Sequence, residues 1–322
     1  MHARRFALAG LLGALVTCLA VPASAQVRTA DAAVRGLRDA DFPRLVTLAP
    51  GVYAYEDLNG QVGGNLGFTT NSLIVVTGEG VLVVDGQGNV AKTQRMVDRI
   101  RTLTPQPIRY MVIGADHGDH IGGNSAFPAG VTFIAHPTSK AVIERANAAR
   151  TPQAGGAPTP VPQETVTDRR VITMGGMEIQ ILFLGRAHTG GDLVVFLPRD
   201  GILFMSEVSF NRLYPSVGGN RSGRPVEWLA TIRKAEAMRA RLYVPNHGFI
   251  DSPEVLNEEF VNFRRALENL VSEGRRLHDA GVPLETAYRT INLGEFQYWF
   301  RAANNLPDAL RALYLELDGK LP

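Results

Sequence analysis

Four histidines of this chain sit in short glycine-rich stretches, each just after an apolar run, and their joint occurrence says more than any one of them. The first stretch is Gly114-Ala115-Asp116-His117-Gly118-Asp119-His120-Ile121-Gly122-Gly123-Asn124, the second Gly185-Arg186-Ala187-His188-Thr189-Gly190-Gly191-Asp192, and the third Val244-Pro245-Asn246-His247-Gly248. Imidazole and carboxylate donors at this density suit a borderline divalent ion such as zinc, and spacings of two and three residues let one loop ligate from several directions. A metal held this way polarises a carbonyl or phosphoryl group and acidifies water, which is hydrolytic chemistry. His136 and His278 have no such company and read as surface or hydrogen-bonded side chains.

Such donors must be presented by rigid elements around a cleft. Turn-bounded apolar runs at 52–55, 72–76, 81–84, 108–113 and 131–135 read as strands, with helices at 90–102, where Val97 and Ile100 share a face, and at 139–150. Residues 151–163, with four prolines and two glycines, read as a surface linker or long loop. Strand-like runs resume at 171–174, 178–184, 193–197 and 202–205, followed by a helix at 225–239 and a strand at 242–244 that ends at His247. Both halves thus follow one plan of meander, helix, strand and histidine, which suggests two sheets packed face to face with helices outside. Residues 57–67, with four glycines, read as a flexible hairpin over the cleft.

From Ser252 onward the pattern changes to long amphipathic segments at 258–280, 283–291 and 306–317. This helical appendage covers a sheet, pairs two copies as a homodimer, or walls the active site; the sequence does not choose among these.

At 322 residues and 45% apolar content the chain can bury a substantial core. Arg4 and Arg5, an apolar run from Phe6 to Val21 and the small-residue stretch Pro22-Ala23-Ser24-Ala25 form, in order, the three regions of a signal peptide, with cleavage expected after Ala25. The expected location is periplasmic or secreted. Cys18, the single cysteine, lies in that leader, so a mature form starting at Gln26 has no disulfide and no cysteine ligand. Loss of Arg4 and Arg5 lowers the basic residues from 33 to 31, equal to the 31 acidic ones. A neutral protein has no electrostatic reason to bind nucleic acid or an anionic membrane, so the expected partner is a small-molecule substrate.

The first histidine stretch resembles the His-x-His-x-Asp-His signature of the metallo-β-lactamase superfamily. Val83-Val84-Asp85-Gly86, Ala187-His188-Thr189 and Pro245-Asn246-His247-Gly248 match its other landmarks in order, over about Leu48 to Ile250. The resemblance implies an α+β fold, an αββα sandwich with the site on the edge of two sheets. The expected organisation is a signal peptide (1–25), an N-terminal segment (26–44), the superfamily domain (45–251) and the helical C-terminal extension (252–322). Carried over residue by residue, His117 and His188 fall to a first metal and Asp119, His120 and His247 to a second. Glu207 stands where the family usually has an aspartate, and Asp85 is expected to orient a ligand rather than bind metal.

One departure stands out: Ala115 occupies the position of the signature's first histidine. That leaves the first site two ligands, below the usual three of a tight catalytic zinc site, while the second keeps three. The expectation is therefore one preferred Zn2+ at Asp119, His120 and His247, with a weaker second ion. Asp116, one position along, should point elsewhere.

The implied activity is that of an exported zinc-dependent hydrolase in which a metal-bound hydroxide, oriented by the catalytic Asp119, attacks a lactam, lactone, ester or similar bond. Asn220, Arg221 and Arg224 are polar candidates for substrate contact, and Phe210 stands where β-lactamases of the family often place a carboxylate-binding lysine. The alternative is a degenerate family member that binds metal or ligand without efficient catalysis, with Ala115 as its support. Oxidative iron chemistry, as in persulfide-oxidising relatives, relies on the first site and is disfavoured by the same residue.

Overall fold

The computed structural model describes residues 27–151, 157–217 and 223–321, so the expected leader at 1–25, and Asn220 and Arg221, lie outside the described residues. Among the described residues, twelve strands form two sheets. The larger runs in the order β1 (Arg44–Ala49), β2 (Val52–Leu58), β3 (Thr69–Val76), β4 (Val81–Val84), β5 (Ile108–Val112), β6 (Thr132–Ala135) and β7 (Glu164–Thr165). The smaller has β8 (Arg169–Met174), β9 (Met177–Leu182), β10 (Val194–Leu197), β11 (Ile202–Phe204) and β12 (Leu242–Val244) side by side. Hairpins make β1–β4 and β8–β11 antiparallel, whereas β4 through β7, and β11 with β12, are parallel.

Alternation along the strands sorts the apolar side chains into three layers. Leu73, Val75, Leu82 and Val84 face Ile179, Ile181, Ile202, Phe204, Leu242 and Val244 between the sheets. Their strand neighbours Ile74, Val81 and Val83 point the other way, onto Met96, Val97 and Ile100 of α1 (Val90–Leu103) and Ile143 of α3 (Pro137–Ala148); the short α2 (Gly118–Ile121) lies between them in the chain. On the far side, Leu203 and Tyr243 pack under α4 (Pro225–Ala237), α5 (Pro253–Asp279) and α7 (Ala302–Leu317), with α6 (Leu284–Thr290) joining the last two. The result is helix, sheet, sheet, helix. Strands buried on both faces read as continuous apolar runs, as at 81–84 and 202–204.

The C-terminal helices share one apolar core with the smaller sheet. Phe263 of α5 packs against Trp228 of α4 (ring centroids 5.7 Å apart) and against Phe210 (5.2 Å), and Tyr243 of β12 stacks on Phe260 at 3.9 Å. The N-terminal segment is also fastened down: Arg35 pairs with Asp251 at 2.7 Å, and Ala30, Ala32 and Phe42 are buried. No helix among the described residues is long and apolar enough to cross a membrane.

Because Phe263 is fully buried at the junction, Phe263→Ala should destabilise the protein by about 3–5 kcal/mol, the range for a truncated core aromatic. Urea unfolding followed by tryptophan fluorescence checks this; a separate early transition with the main one unmoved would make the extension an independent unit.

Candidate metal centre

The strand ends, not the loops alone, decide where the site lies. β4, β5, β11 and β12 all finish at one edge of the sandwich, and Asp85, Gly114, Ser206 and Asn246 follow them within a few residues. Asp85 joins all four. Its Oδ1 accepts from the backbone N–H of Gly114 (2.7 Å) and of Ala115 (3.4 Å), and its Oδ2 from Ser206 Oγ (2.8 Å) and Asn246 Nδ2 (3.0 Å). Asp85 and Ser206 both take left-handed backbone angles (φ 60° and 45°), uncommon for non-glycine residues and sustained here by this bonding. Gly114 is required by closeness: a Cβ there would lie 2.1 Å from Ser206 Oγ.

Around this knot six side chains converge. Asp119, His120, Glu207 and His247 bring donor atoms within 4.8 Å of one another, and so do His117, His188 and Glu207. Glu207 belongs to both groups. Its Oε1 lies 3.0 Å from His247 Nε2, 3.2 Å from His120 Nε2 and 3.4 Å from His188 Nε2, while Oε2 lies 3.2 Å from His117 Nδ1. Asp119 Oδ2 is 3.5 Å from Nε2 of both His120 and His247 and accepts from Thr70 Oγ1 at 3.2 Å.

The outward faces of the rings fix what the inward faces offer. His247 Nδ1 donates to the Thr69 carbonyl at 2.8 Å and His188 Nδ1 to the Ser216 carbonyl; a carbonyl only accepts, so both Nε2 atoms keep their lone pairs. His120 Nδ1 faces Asp85 Oδ2 at 3.6 Å, and its Nε2 is buried with no hydrogen-bond partner. Lone pairs thus meet a carboxylate, itself acceptor-only, in a buried space. Two carboxylates and four imidazoles arranged in this way fit a divalent cation, which is the test the donor set has to pass.

The electrostatics show how strongly the carboxylates draw positive charge into this space. Burial opposes charge on His117, yet the neighbouring Glu207 carboxylate, with Asp119 and Asp116, lifts its pKa to about 9. Burial likewise opposes the charge on Glu207, but His188, His120 and His117 hold it well below the usual carboxylate range. For His188 burial prevails and lowers the pKa to about 4. The turn carrying His188 is held by Asp192, which accepts from the N–H of Ala187 (3.2 Å) and Thr189 (2.8 Å) and from the Thr189 hydroxyl (2.8 Å).

Beside the cluster opens a cavity of about 420 Å³. His117, Asp119, His188, Glu207 and His247 line it together with apolar Leu66, Phe68, Phe210 and Leu213. Asn59, Leu66 and Phe68 come from the β2–β3 connection, so the glycine-rich hairpin does border the site. Arg301 and Asn305, from the start of α7, line it too, and nothing at the level of sequence pointed to them.

All six expected ligands are therefore brought together, and Asp85 stands behind them as an orienting partner. Asp116 and the fully buried Ala115 belong to neither donor group, and Asp116 bonds instead to Ser139. Arg224 does not line the cavity; it pairs with Glu227 at 2.9 Å. His136 caps α3, accepting from the Thr138 N–H, and His278 lies by Asp318. One expectation changes: the first group is not left with two donors, because Glu207 supplies a third.

The sequence model of the metallo-beta-lactamase superfamily matches residues 66–247, more than half of the chain. The chain belongs to that superfamily. A metallo-beta-lactamase type 2 of Bacteroides fragilis is 26% identical over 226 residues, 70% of this chain and 86% of that protein. A linear primary-alkylsulfatase of Pseudomonas sp. is 24% identical over 210 residues, 53% of this chain and 40% of that enzyme. Among solved structures, a metallo-beta-lactamase from Pontibacter korlensis superposes with a TM-score of 0.59 at 21% identity, covering 70% of this chain and 99% of its own. Family and αββα fold agree with the expectations, and the protein is a superfamily hydrolase with a potential metal site.

Because Glu207 serves both groups, Glu207→Gln should weaken every step of divalent-metal binding by at least ~10–100-fold, the loss that even an outer partner of a ligand produces. Asp119→Ala should weaken one step alone, and Ala115→His should strengthen the His117–His188 step. Titration against a chromophoric chelator reads all three; a step untouched by Glu207→Gln would remove that residue from its group.

Proposed function

We propose that this protein is an exported, zinc-dependent hydrolase acting in the periplasm or outside the cell on a lactam, lactone, ester or similar bond of a small molecule. The observation that carries the reading is the convergence of locked imidazole lone pairs and two carboxylates on one wall of an apolar-sided cavity. A divalent ion held there supplies Lewis-acid polarisation of the scissile group and lowers the pKa of water towards ~7.

The chain's own residues do the rest. Asp119, His120 and His247 would hold one ion and Glu207, reaching to His117 and His188, would help hold a weaker second; the two carboxylates match the charge of one dication, which supports one preferred zinc. Asp119 is the most exposed of the carboxylates, with its Oδ2 fixed by the Thr70 hydroxyl. It is placed to orient attacking water and to take its proton. Phe68, Phe210 and Leu213 give the cavity an apolar side against which the nonpolar part of a substrate can pack. Phe210 packs at 5.6 Å from His188 and 5.1 Å from His247, so that position provides no cation for a substrate carboxylate. Relatives named for β-lactams and for alkyl sulfates both match this chain, and a Lewis-acid centre suits an acyl bond.

The second reading, a metal- or ligand-binding protein without efficient catalysis, is favoured by one observation: Ala115 fills the first ligand's place and is fully buried. Turnover separates the two. Wild-type protein with about stoichiometric zinc by elemental analysis should hydrolyse a chromogenic cephalosporin or an aryl ester, and His120→Ala should lower kcat/KM by about 10³-fold, roughly 4 kcal/mol of transition-state stabilisation. Zinc without turnover on lactam, lactone and ester panels would transfer the conclusion to the binding protein. Fractionation of expressing cells should place a form beginning at Gln26 outside the cytoplasm; an uncleaved cytoplasmic product would sink the export reading.

A further inference from the structure

Outside the histidine cluster, the described lining of the cavity holds one arginine and no lysine, and the arginine comes from outside the family-matched region: Arg301, at the N-terminus of α7. Its place is fixed by the backbone. Leu213 and Phe300 form a parallel bridge, with the Tyr214 N–H donating to the Phe300 carbonyl (3.0 Å) and the Phe300 N–H to the Arg212 carbonyl (3.2 Å). Asn305 Nδ2 adds a bond to the Tyr214 carbonyl at 2.8 Å. The segment that follows Glu207 and Phe210 is thereby tied directly to Arg301, which takes a left-handed backbone (φ 61°, ψ 17°), a conformation a long side chain adopts only where surroundings impose it.

The side chain is held but not neutralised. Arg301 Nη1 donates to the Asn65 carbonyl in the β2–β3 hairpin at 2.9 Å, and the guanidinium lies 5.6 Å from the centre of the Phe68 ring. Its Nε is buried without a hydrogen-bond partner, and burial lowers the pKa with no carboxylate acting to raise it. Arginine remains charged in such a setting, and its planar fork of donors matches an oxyanion. Asp119 and Glu207, the carboxylates of the same cavity, are already committed to the histidine cluster.

We propose that Arg301 is the anion-recognition residue of the substrate cavity, so that the preferred substrate carries an oxyanion group, carboxylate or sulfate, joined to the scissile bond by an apolar portion lying along Phe68 and Phe210. The proposal rests on the hydrolase reading for its substrate, but not for its anion site. It gives the C-terminal extension a function: α7 closes the cavity and supplies the charge that Phe210 does not.

The test is calorimetric titration of the metal-loaded protein with 4-phenylbutyrate, 3-phenylpropyl sulfate and the neutral 4-phenylbutyramide. Wild-type protein should bind one or both anions roughly 10–100-fold more tightly than the amide, the range for hydrogen bonds to a charged group. Arg301→Gln should erase that preference while leaving amide affinity and metal content unchanged, and Arg301→Lys should retain part of it. The anion that binds better identifies the group. Equal binding of anions and amide to wild type, or a preference surviving in Arg301→Gln, overturns the proposal. Loss of amide binding together with the anions in Arg301→Gln also overturns it, since the residue would then only pin the hairpin through Asn65. An intact anion preference without hydrolysis of any ester or lactam overturns the hydrolase reading alone.

Discussion

A single buried carboxylate decides where this site stands. Asp85 accepts hydrogen bonds from groups at the ends of three other strands, two of them in the opposite sheet. A fully buried carboxylate is costly unless all its lone pairs are used, and here the compensation comes from parts of the chain as far apart as Gly114, Ser206 and Asn246. The same bonds hold Ser206 and Asn246, the residues directly before Glu207 and His247. Core packing between the sheets supplies most of the folding energy, but it would tolerate small slides; the Asp85 knot does not, because each partner is directional.

Given that fixed edge, the cluster follows from satisfying acceptors. Carbonyls of Thr69 and Ser216 take the outer protons of His247 and His188, so the inner nitrogens meet Glu207 and Asp119 as lone pairs against negative charge. Such an arrangement is unfavourable until positive charge enters it. Sharing Glu207 between the groups has a thermodynamic corollary: an ion in one group alters the carboxylate that the other uses, and the influence is equal in both directions.

Much of this was legible in the sequence, for identifiable reasons. Strands 81–84 and 242–244 agree to the residue because both are buried on two faces and bounded by turns. The four histidines were found because glycine-rich turns after apolar strands are a strong joint pattern. β1 was missed because it lies at a sheet edge, opens on Arg44 and is only half-buried, which weakens the alternation; β7 has two residues and no pattern to find. The double role of Glu207 is a matter of distance between two strand ends, invisible in one dimension. Arg301 and Asn305 lie just before the amphipathic segment read at 306–317. The amphipathic pattern is readable only from 306, whereas the helix begins at Ala302 and carries the proline inside. The first turn, the one that faces the cavity, was the part left out.

The bridge between Leu213 and Phe300 has an evolutionary meaning. It couples the candidate metal centre, within residues 66–247, to a wall some fifty residues further on, beyond the stretch that the family model matches. Part of the cavity wall, Arg301 with Asn305, therefore lies on a length of gene separate from the one that carries the histidine and carboxylate cluster. Substitutions in that terminal segment can reshape this part of the wall while the side chains of the cluster stay in place.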